Sequence, residues 1–475
     1  MPEKNFSLSA HIFTRDLRID DNPSLISALG SSEKVTTYFA VEEKFVSENP
    51  VGCEGRLEFL SESLSDLSGA IANRGGELQF YCDGVLRLVK KLCKTGVEAI
   101  YMTRDYTPYA IRRENLIRKI CSDAGCTFFT VPGSLLNEPE DVKKNDGGPY
   151  KVFTPFYRNA YLIPVHEPGI CISSNFSREE LPDEVSSCDL PVRYSPDGIR
   201  NSAFIGGRSE GLRLLGETGI MKNYNDERDF PAKKCTSMLS AHLRFGTVSV
   251  REAYLKISDV LGPGHGLIRQ LYWRDFFTHI ACHYPYVFKG PFQRKFESLP
   301  WAGTGKLYER WCRGLTGFPF IDAGMRELNE TGYMHNRVRM AAASFLVKDL
   351  HTDWRSGERY FASKLTDYDP SVNNGNWQWS ASTGCDAQPY FRIFNPWLQQ
   401  KKFDPDCIYI RRWVPELSDL EPEEIHNIYK TGSAPPGGYP KPVVDHKTEA
   451  AAAKIIYSEA ARKDTYSAEP VIKHH

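Results

Sequence analysis

The hydrophobic periodicity changes once along this chain, and that change limits the fold more than any other feature. Over residues 1–132, short β-branched and aromatic runs alternate with amphipathic stretches, the pattern of an α/β domain whose doubly wound parallel sheet carries helices on both faces. Five strands are expected, at Leu8 to Thr14, Val35 to Val41, Glu77 to Cys82, Ala99 to Thr103 and Thr127 to Val131. Helices are expected between them at Pro23 to Leu29, Gly55 to Ala72, Val85 to Lys94 and Tyr109 to Ala124. Asn22-Pro23 reads as a helix start with proline in the first turn, and Gly96 and Gly125 fall where helices end. From 133 to 205 the periodicity fails and Pro, Gly, Ser, Asn and Asp accumulate, which reads as a long interdomain linker. Residues 206–475 show helical periods and no convincing period of two, so the second domain is expected to be all-α.

Composition sets the class. A soluble globular protein of two or three domains is expected from 475 residues with 41% hydrophobic and 25% charged residues. A net charge of −1 gives no global pull toward nucleic acid, so any DNA affinity has to come from a local basic face. The twelve cysteines include no Cys-x-x-Cys. No metal site is expected from such spacing, and all twelve read as reduced thiols. Met1-Pro-Glu-Lys-Asn lacks a basic-then-apolar leader, and no apolar run approaches the ~18 residues of a membrane span. A cytoplasmic monomer, free of membrane, is the expectation. Neither a Gly-x-Gly-x-x-Gly nor a Gly-x-x-x-x-Gly-Lys-[Ser/Thr] motif follows the first strand, so the N-terminal domain is not a recognisable dinucleotide or P-loop site.

One segment does not fit an ordinary core. Asp367 to Pro396 interleaves Asp367, Asp369, Asn373, Trp377, Trp379 and Arg392 with further amides and aromatics, whereas core helices bury Leu, Ile and Val at a 3.6-residue period. Buried polar groups require partners, so this segment is expected to hold something planar and polar. Three other stretches carry related signals. Thr236 to Ser240 puts two hydroxyl types and free backbone N–H groups ahead of a helix, as a phosphate cradle would, but alone this is a weak signal that reads first as an everyday N-cap. Gln270, Trp273 and Arg274 share a helix face, as do Asn336 with Met340 and His335 with Arg339.

Taken together, Asn-Gly-Asn-Trp377-Gln-Trp379-Ser-Ala-Ser-Thr-Gly, Tyr-Phe-Arg392-Ile-Phe-Asn-Pro, Met-His-Asn336-Arg-Val-Arg-Met340, Phe-Leu-Val-Lys-Asp and Arg-Asp-Phe-Pro-Ala resemble the photolyase/cryptochrome flavoproteins, most of all class I cyclobutane pyrimidine dimer photolyases. Thr-Arg-Asp-Leu-Arg-Ile-Asp-Asp-Asn-Pro and Asp105-Tyr-Thr-Pro-Tyr-Ala extend the resemblance through the N-terminal domain.

The resemblance implies a non-covalent FAD, reduced when active, folded into a U in the helical domain. It places Tyr224 and Thr236, Ser237, Met238, Leu239 and Ser240 at the diphosphate and ribityl chain, with Arg274 and Asn336 among the cofactor's contacts. Arg339 would pair with Asp367 beside the flavin, Asp369 would accept from the ring N3–H, and Asn373 would face N5. Trp377, Trp354 and Trp301 take the positions of the family's electron-transfer chain. The lesion pocket would be formed by Trp273, Trp379, Met340, Asn336 and Gln270, and the phosphate-gripping rim by Arg228, Arg337, Arg392, Lys401 and Lys402. Gln270 departs from the glutamate of cyclobutane dimer photolyases: an amide can still bind a base edge but cannot act as an acid. Glutamine is typical there of (6-4) photolyases, yet their histidines are replaced by Asn336 and Met340. The implied partner is UV-damaged DNA containing pyrimidine dimers, and the implied N-terminal ligand is an antenna chromophore of 5,10-methenyltetrahydrofolate or 8-hydroxy-5-deazaflavin type. The alternatives are a cryptochrome-type photoreceptor and a (6-4) photolyase; the helical reading of Glu449 to Arg462, in place of a polar tail, argues against the photoreceptor.

Overall fold

The computed structural model describes residues 4–41, 54–178, 202–233, 235–430 and 436–466. The N-terminal part is a five-stranded sheet of order β3-β2-β1-β4-β5, formed by β1 Phe6–Phe13, β2 Ser32–Ala40, β3 Leu78–Tyr81, β4 Ala99–Thr103 and β5 Thr127–Val131. Every pairing is parallel. Period-two alternation sends neighbouring residues of a strand to opposite faces. In β4, Ala99 and Tyr101 join one core with Leu25, Leu29 and Leu67, while Ile100 and Met102 join the other with Leu88, Ile117 and Phe128. Helices Pro23–Ser31 and Glu54–Ala72 cover the first face; Val85–Leu92 and Pro108–Asp123 cover the second.

The expected helix punctuation is present. Asn22 accepts a hydrogen bond from the Leu25 N–H and Thr107 from the Ala110 N–H, each ahead of a first-turn proline. Gly96 and Gly125 adopt φ of +83° and +70°, a left-handed backbone that side chains resist. β2 starts earlier than expected: pairing to β1 from Phe6↔Ser32 recruits the polar Ser32-Glu33-Lys34, which carries no strand signature of its own.

Two expectations need correction. Within the stretch read as a long interdomain linker, Phe153–Ala160 forms a helix, whose Phe153, Phe156 and Ala160 are buried against the helix Gly266–His283. Tertiary packing supplies what weak local propensity did not. Residues 179–201 of that stretch lie outside the described residues. The second correction concerns the thiols: nine described cysteines are free, but Cys82 is disulfide-bonded, a pairing that spacing alone does not reveal.

From Arg208 onward the named elements are all helical. The largest core gathers Trp311, Phe320, Met325, Phe345, Leu346, Trp354 and Trp377. Among the described residues, no helix is long and apolar enough to cross a membrane.

Candidate functional site

The anomalous segment resolves into a helix, Pro370–Ser380, followed by turns and a second helix from Pro396. Asp369 caps the first, its side chain accepting from the Ser371 and Val372 N–H groups at 3.0 and 3.1 Å. Val372, Asn373, Asn376, Trp377 and Ser380 recur at helical spacing along one face, and that face walls a cavity. The opposite face is structural. The Asn374 and Gln378 amides both donate to the Val287 carbonyl, at 3.1 and 3.0 Å, and Gln378 accepts from the Phe292 N–H at 2.8 Å. The excess of amides in the sequence therefore has two causes, and only one of them faces a ligand.

Five further helices complete the cavity, with Ile257 of Val250–Leu261 and Phe361 of Trp354–Lys364 in its apolar lining. Gly266–His283 contributes Gln270, Leu271 and Arg274; Asn336–Lys348 contributes Asn336, Arg339 and Met340; and the start of Ser240–Phe245 contributes Ser240 and Leu243, with Ser237 and Leu239 just ahead of it. Met238 sits at φ +51°, reversing the chain there. Thr236 and Met238 lie outside the lining and touch each other, with the Thr236 hydroxyl 3.6 Å from the thioether. Tyr224 is also outside it, buried with Arg228 over its ring at 5.7 Å.

Charge is arranged about two carboxylates. Arg339 Nη2 donates to Asp367 Oδ2 at 2.9 Å, as expected, and leaves Asp367 Oδ1 buried with no partner. Asp369 is gripped from the other half of the molecule: Arg15, just after β1, donates to it and also approaches Asp105, just after β4, at 3.5 Å. β1 and β4 are adjacent and their connections leave in opposite directions, so this is the topological switch point of the sheet, where α/β folds open a crevice. Burial alone would raise the Asp369 carboxyl, but Arg15, Arg244 and Arg274 outweigh it and hold the carboxyl well below the usual range. Burial first, and Arg15 next, push Arg244 down to about 9. Arg244 also donates to the Tyr368 carbonyl at 2.7 Å. Three arginines against two aspartates in the lining leave net positive charge, which suits an anionic ligand.

Asn373 donates to the Glu358 carbonyl and carboxylate, both at 3.2 Å, which fixes its amide at the cavity wall. Trp377 is part of the wall and packs behind it against a neighbouring helix. An added Cβ on Gly357 would fall 2.2 Å from the Trp377 ring, and Gly357 is one turn from Trp354 on the helix Trp354–Lys364, so Trp377 rests on the face that Trp354 begins. Trp354 is fully buried and Trp301 partly exposed, its indole N–H without a partner. No ring stacking joins these three among the described residues. The tryptophan ring against Trp377 is instead Trp311, at 6.2 Å and 73°. Sequence reasoning missed Trp311, because a lone tryptophan at a helical position reads as core.

The expected lesion pocket is brought together only in part. Gln270, Asn336 and Met340 line the cavity, with Asn336 Nδ2 3.6 Å from Met340 Sδ. Trp273 and Trp379 lie outside the lining. Trp273 has one face covered by Phe153, at 3.7 Å and 6°, and Trp379 tilts toward Phe394 at 6.4 Å. Of the expected rim, Arg228, Arg392, Lys401 and Lys402 are exposed. Arg337 is different: it pairs with Asp229 at 2.7 Å and lies over Phe403, so its charge is already answered. Arg15, Arg244 and Asn376 were not anticipated. Arg15 stood in a quoted motif, but its partner is 354 positions away.

The FAD-binding domain of DNA photolyase matches residues 267–459, and the DNA photolyase family matches residues 9–168. A deoxyribodipyrimidine photo-lyase of Agrobacterium fabrum is 36% identical over 475 residues, covering 95% of this chain and 98% of that one. Among solved structures, the archaeal photolyase from Sulfolobus tokodaii with two FAD molecules is 40% identical with a TM-score of 0.86, covering 95% of this chain and 100% of that one. A cryptochrome from Synechocystis is 28% identical with a TM-score of 0.85, covering 96% and 100%. The unpartnered Asp367 oxygen, the positive balance of the lining and its leucine walls fit a flavin dinucleotide, which needs acceptors at a ring edge, cations at a diphosphate and apolar cover. With both family signatures in chain order and a relative matched almost end to end, the chain belongs to the DNA photolyase family.

Proposed function

We propose that this protein is a deoxyribodipyrimidine photo-lyase acting on cyclobutane pyrimidine dimers in DNA under blue or near-UV light. The observation that carries the reading is one cavity with two kinds of lining, flavin-type partners in Asp367, Asp369 and Asn373, and base-type partners in Gln270, Asn336 and Met340. Reduced FAD, when bound, supplies the electron that opens the cyclobutane ring and takes it back afterwards. Arg339 holds Asp367 in place, Arg15 and Arg244 keep Asp369 ionised as an acceptor, and Glu358 sets the Asn373 amide. Leu239, Leu243, Leu267 and Leu271 exclude water from the same space. Trp377 is the electron donor nearest the wall, with Trp354 and Trp301 as the route outward. Gln270 binds a base edge through its amide and holds no transferable acid proton. Arg228, Arg392, Lys401 and Lys402 grip phosphates, which adds affinity without sequence preference.

On this reading residues 1–132 form an antenna domain, 133–205 link it, and 206–475 hold FAD and the lesion. The antenna is of folate or deazaflavin type, and the two FAD molecules of the S. tokodaii relative add a second flavin to the candidates. The similarity to the Synechocystis cryptochrome supports a photoreceptor as the second reading. Photoreduced protein incubated with oligonucleotides carrying a cyclobutane dimer or a (6-4) product, in light and in darkness, tests the choice. Light-dependent recovery of thymines from the cyclobutane dimer is expected. Recovery from the (6-4) product alone would refute the substrate, and recovery from neither would refute repair.

A further inference from the structure

Far from the cavity, the fold gathers three cysteines that the sequence keeps apart. Cys93 ends the helix Val85–Leu92, its N–H bonded to the Val89 carbonyl at 3.0 Å. Cys121 lies in the last turns of the helix Pro108–Asp123, and Cys126 follows the left-handed Gly125 turn into β5, its N–H bonded to the Cys121 carbonyl at 2.9 Å. All three sulfurs lie within 4.8 Å of one another. Cys121 and Cys126 are buried and Cys93 is half-buried, so the cluster is shielded on one side and open on the other. It stands where β5 begins, at the end of the sheet opposite the Arg15 and Asp105 crevice. It shares no residue with the flavin cavity, and the inference does not rest on the proposed activity.

We propose that Cys93, Cys121 and Cys126 form a trigonal three-thiolate site for a soft monovalent metal ion of the Cu(I) type. Metal–sulfur bonds of about 2.3 Å put the sulfurs of a planar trigonal site about 4 Å apart. The observed spread of up to 4.8 Å closes to that by side-chain rotation, with backbone already fixed by the two hydrogen bonds above. No imidazole or carboxylate joins the group among the described residues, and its surroundings are Val89, Leu92, Ile117 and Phe128. A tetrahedral zinc site would have to take its fourth donor from water, whereas three soft thiolates complete a trigonal Cu(I) site by themselves. Binding displaces the thiol protons to solvent as each sulfur becomes a thiolate, with no change in oxidation state. The metal would tie two helix ends to an edge strand.

The test uses reduced, metal-free full-length protein under anaerobic conditions, titrated with Cu(I) against a chromophoric Cu(I) chelator. One equivalent resistant to the chelator is expected, and it is expected to be lost in Cys121→Ser and in Cys93→Ser but kept in Cys282→Ser, a half-buried thiol elsewhere. X-ray absorption of the Cu(I)-loaded wild type needs no variant to fold: three sulfur neighbours at about 2.3 Å are expected. Binding that survives Cys121→Ser, two sulfurs or nitrogen and oxygen neighbours in the absorption spectrum, or no chelator-resistant copper at all would overturn the site. So would formation of a disulfide between two of the three in air with no gain of metal affinity in the reduced protein.

Discussion

Gly357 is the position where packing and backbone propensity can be set against each other. A Cβ there would meet Trp377 at 2.2 and 2.5 Å and Leu346 at 2.5 Å, about 1 Å inside the ~3.5 Å of carbon–carbon contact. Trp377 has little room to retreat, because it is buried with Phe361 at 4.9 Å and Trp311 at 6.2 Å. Gly357→Ala gains about 1 kcal/mol from helix propensity and loses about 1–3 kcal/mol to overpacking. Gly69→Ala is the matched control: it lies inside the helix Glu54–Ala72, and nothing lies within 4 Å of the added carbon. It makes the same chemical change and receives the same propensity gain, so the difference between the two isolates the steric cost at about 1–3 kcal/mol. Urea unfolding followed by tryptophan fluorescence measures both. The Gly357 variant should also photoreduce its flavin more slowly, since the displaced ring is the proposed nearest donor. Equal stabilities for the two variants would refute the placement of Trp377 against that helix.

Four other expectations follow from the site and the core. Trp377→Phe should slow flavin photoreduction severalfold in single-wavelength illumination while leaving turnover by chemically reduced protein near wild type. Gln270→Glu should quicken repair of a cyclobutane dimer, read as thymine recovery per flash, by restoring a carboxyl group to the lesion side. Lys401→Ala and Arg392→Ala should each lower the slope of log affinity against log salt by about 1 for damaged and undamaged DNA alike, whereas Asp229→Asn should raise it by freeing Arg337. His279 is held neutral by burial, which pushes it down to about 4, and it hydrogen-bonds the Asn137 carbonyl. The unfolded chain takes up a proton near pH 6.5 and the folded chain does not until about 4, so stability is complete above 6.5 and is lost as pH falls toward 4. His279→Gln should remove up to about 1.4 kcal/mol per pH unit from that slope, measured as urea midpoints between pH 7 and 4.

The elements that local pattern dictates were legible in the sequence, and those that distant contact creates were not. Val250–Leu261 is bounded as its apolar period implies, with a full Ser249/Glu252 capping box. Phe153–Ala160 was hidden because its Pro and Asn lower propensity, and packing against Trp273, Phe276 and His279 is what makes it worth forming. At the site, the Arg339–Asp367 pair was legible through motif resemblance and the cavity wall through its improbable composition. That composition overstated the case, since Asn374 and Gln378 serve the Val287 to Phe292 turn. Arg15 and the three cysteines share the same obstacle: a residue type becomes chemically meaningful only when the fold supplies its neighbour, and nothing local encodes a partner brought in by topology.

The ion pair from Arg15 to Asp369 makes the sheet crevice and the cofactor wall a single mechanical joint. By reciprocity, whatever tightens one side tightens the other: a ligand that settles Asp369 stiffens the angle between the two halves, and a change that loosens the crevice is felt as easier loss of that ligand. On the proposed antenna reading, energy passed between the halves would depend on separation and mutual orientation, and Arg15–Asp369 limits changes in both together with Arg251–Asp21 and the Arg56 bonds to the Ala362 and Leu365 carbonyls.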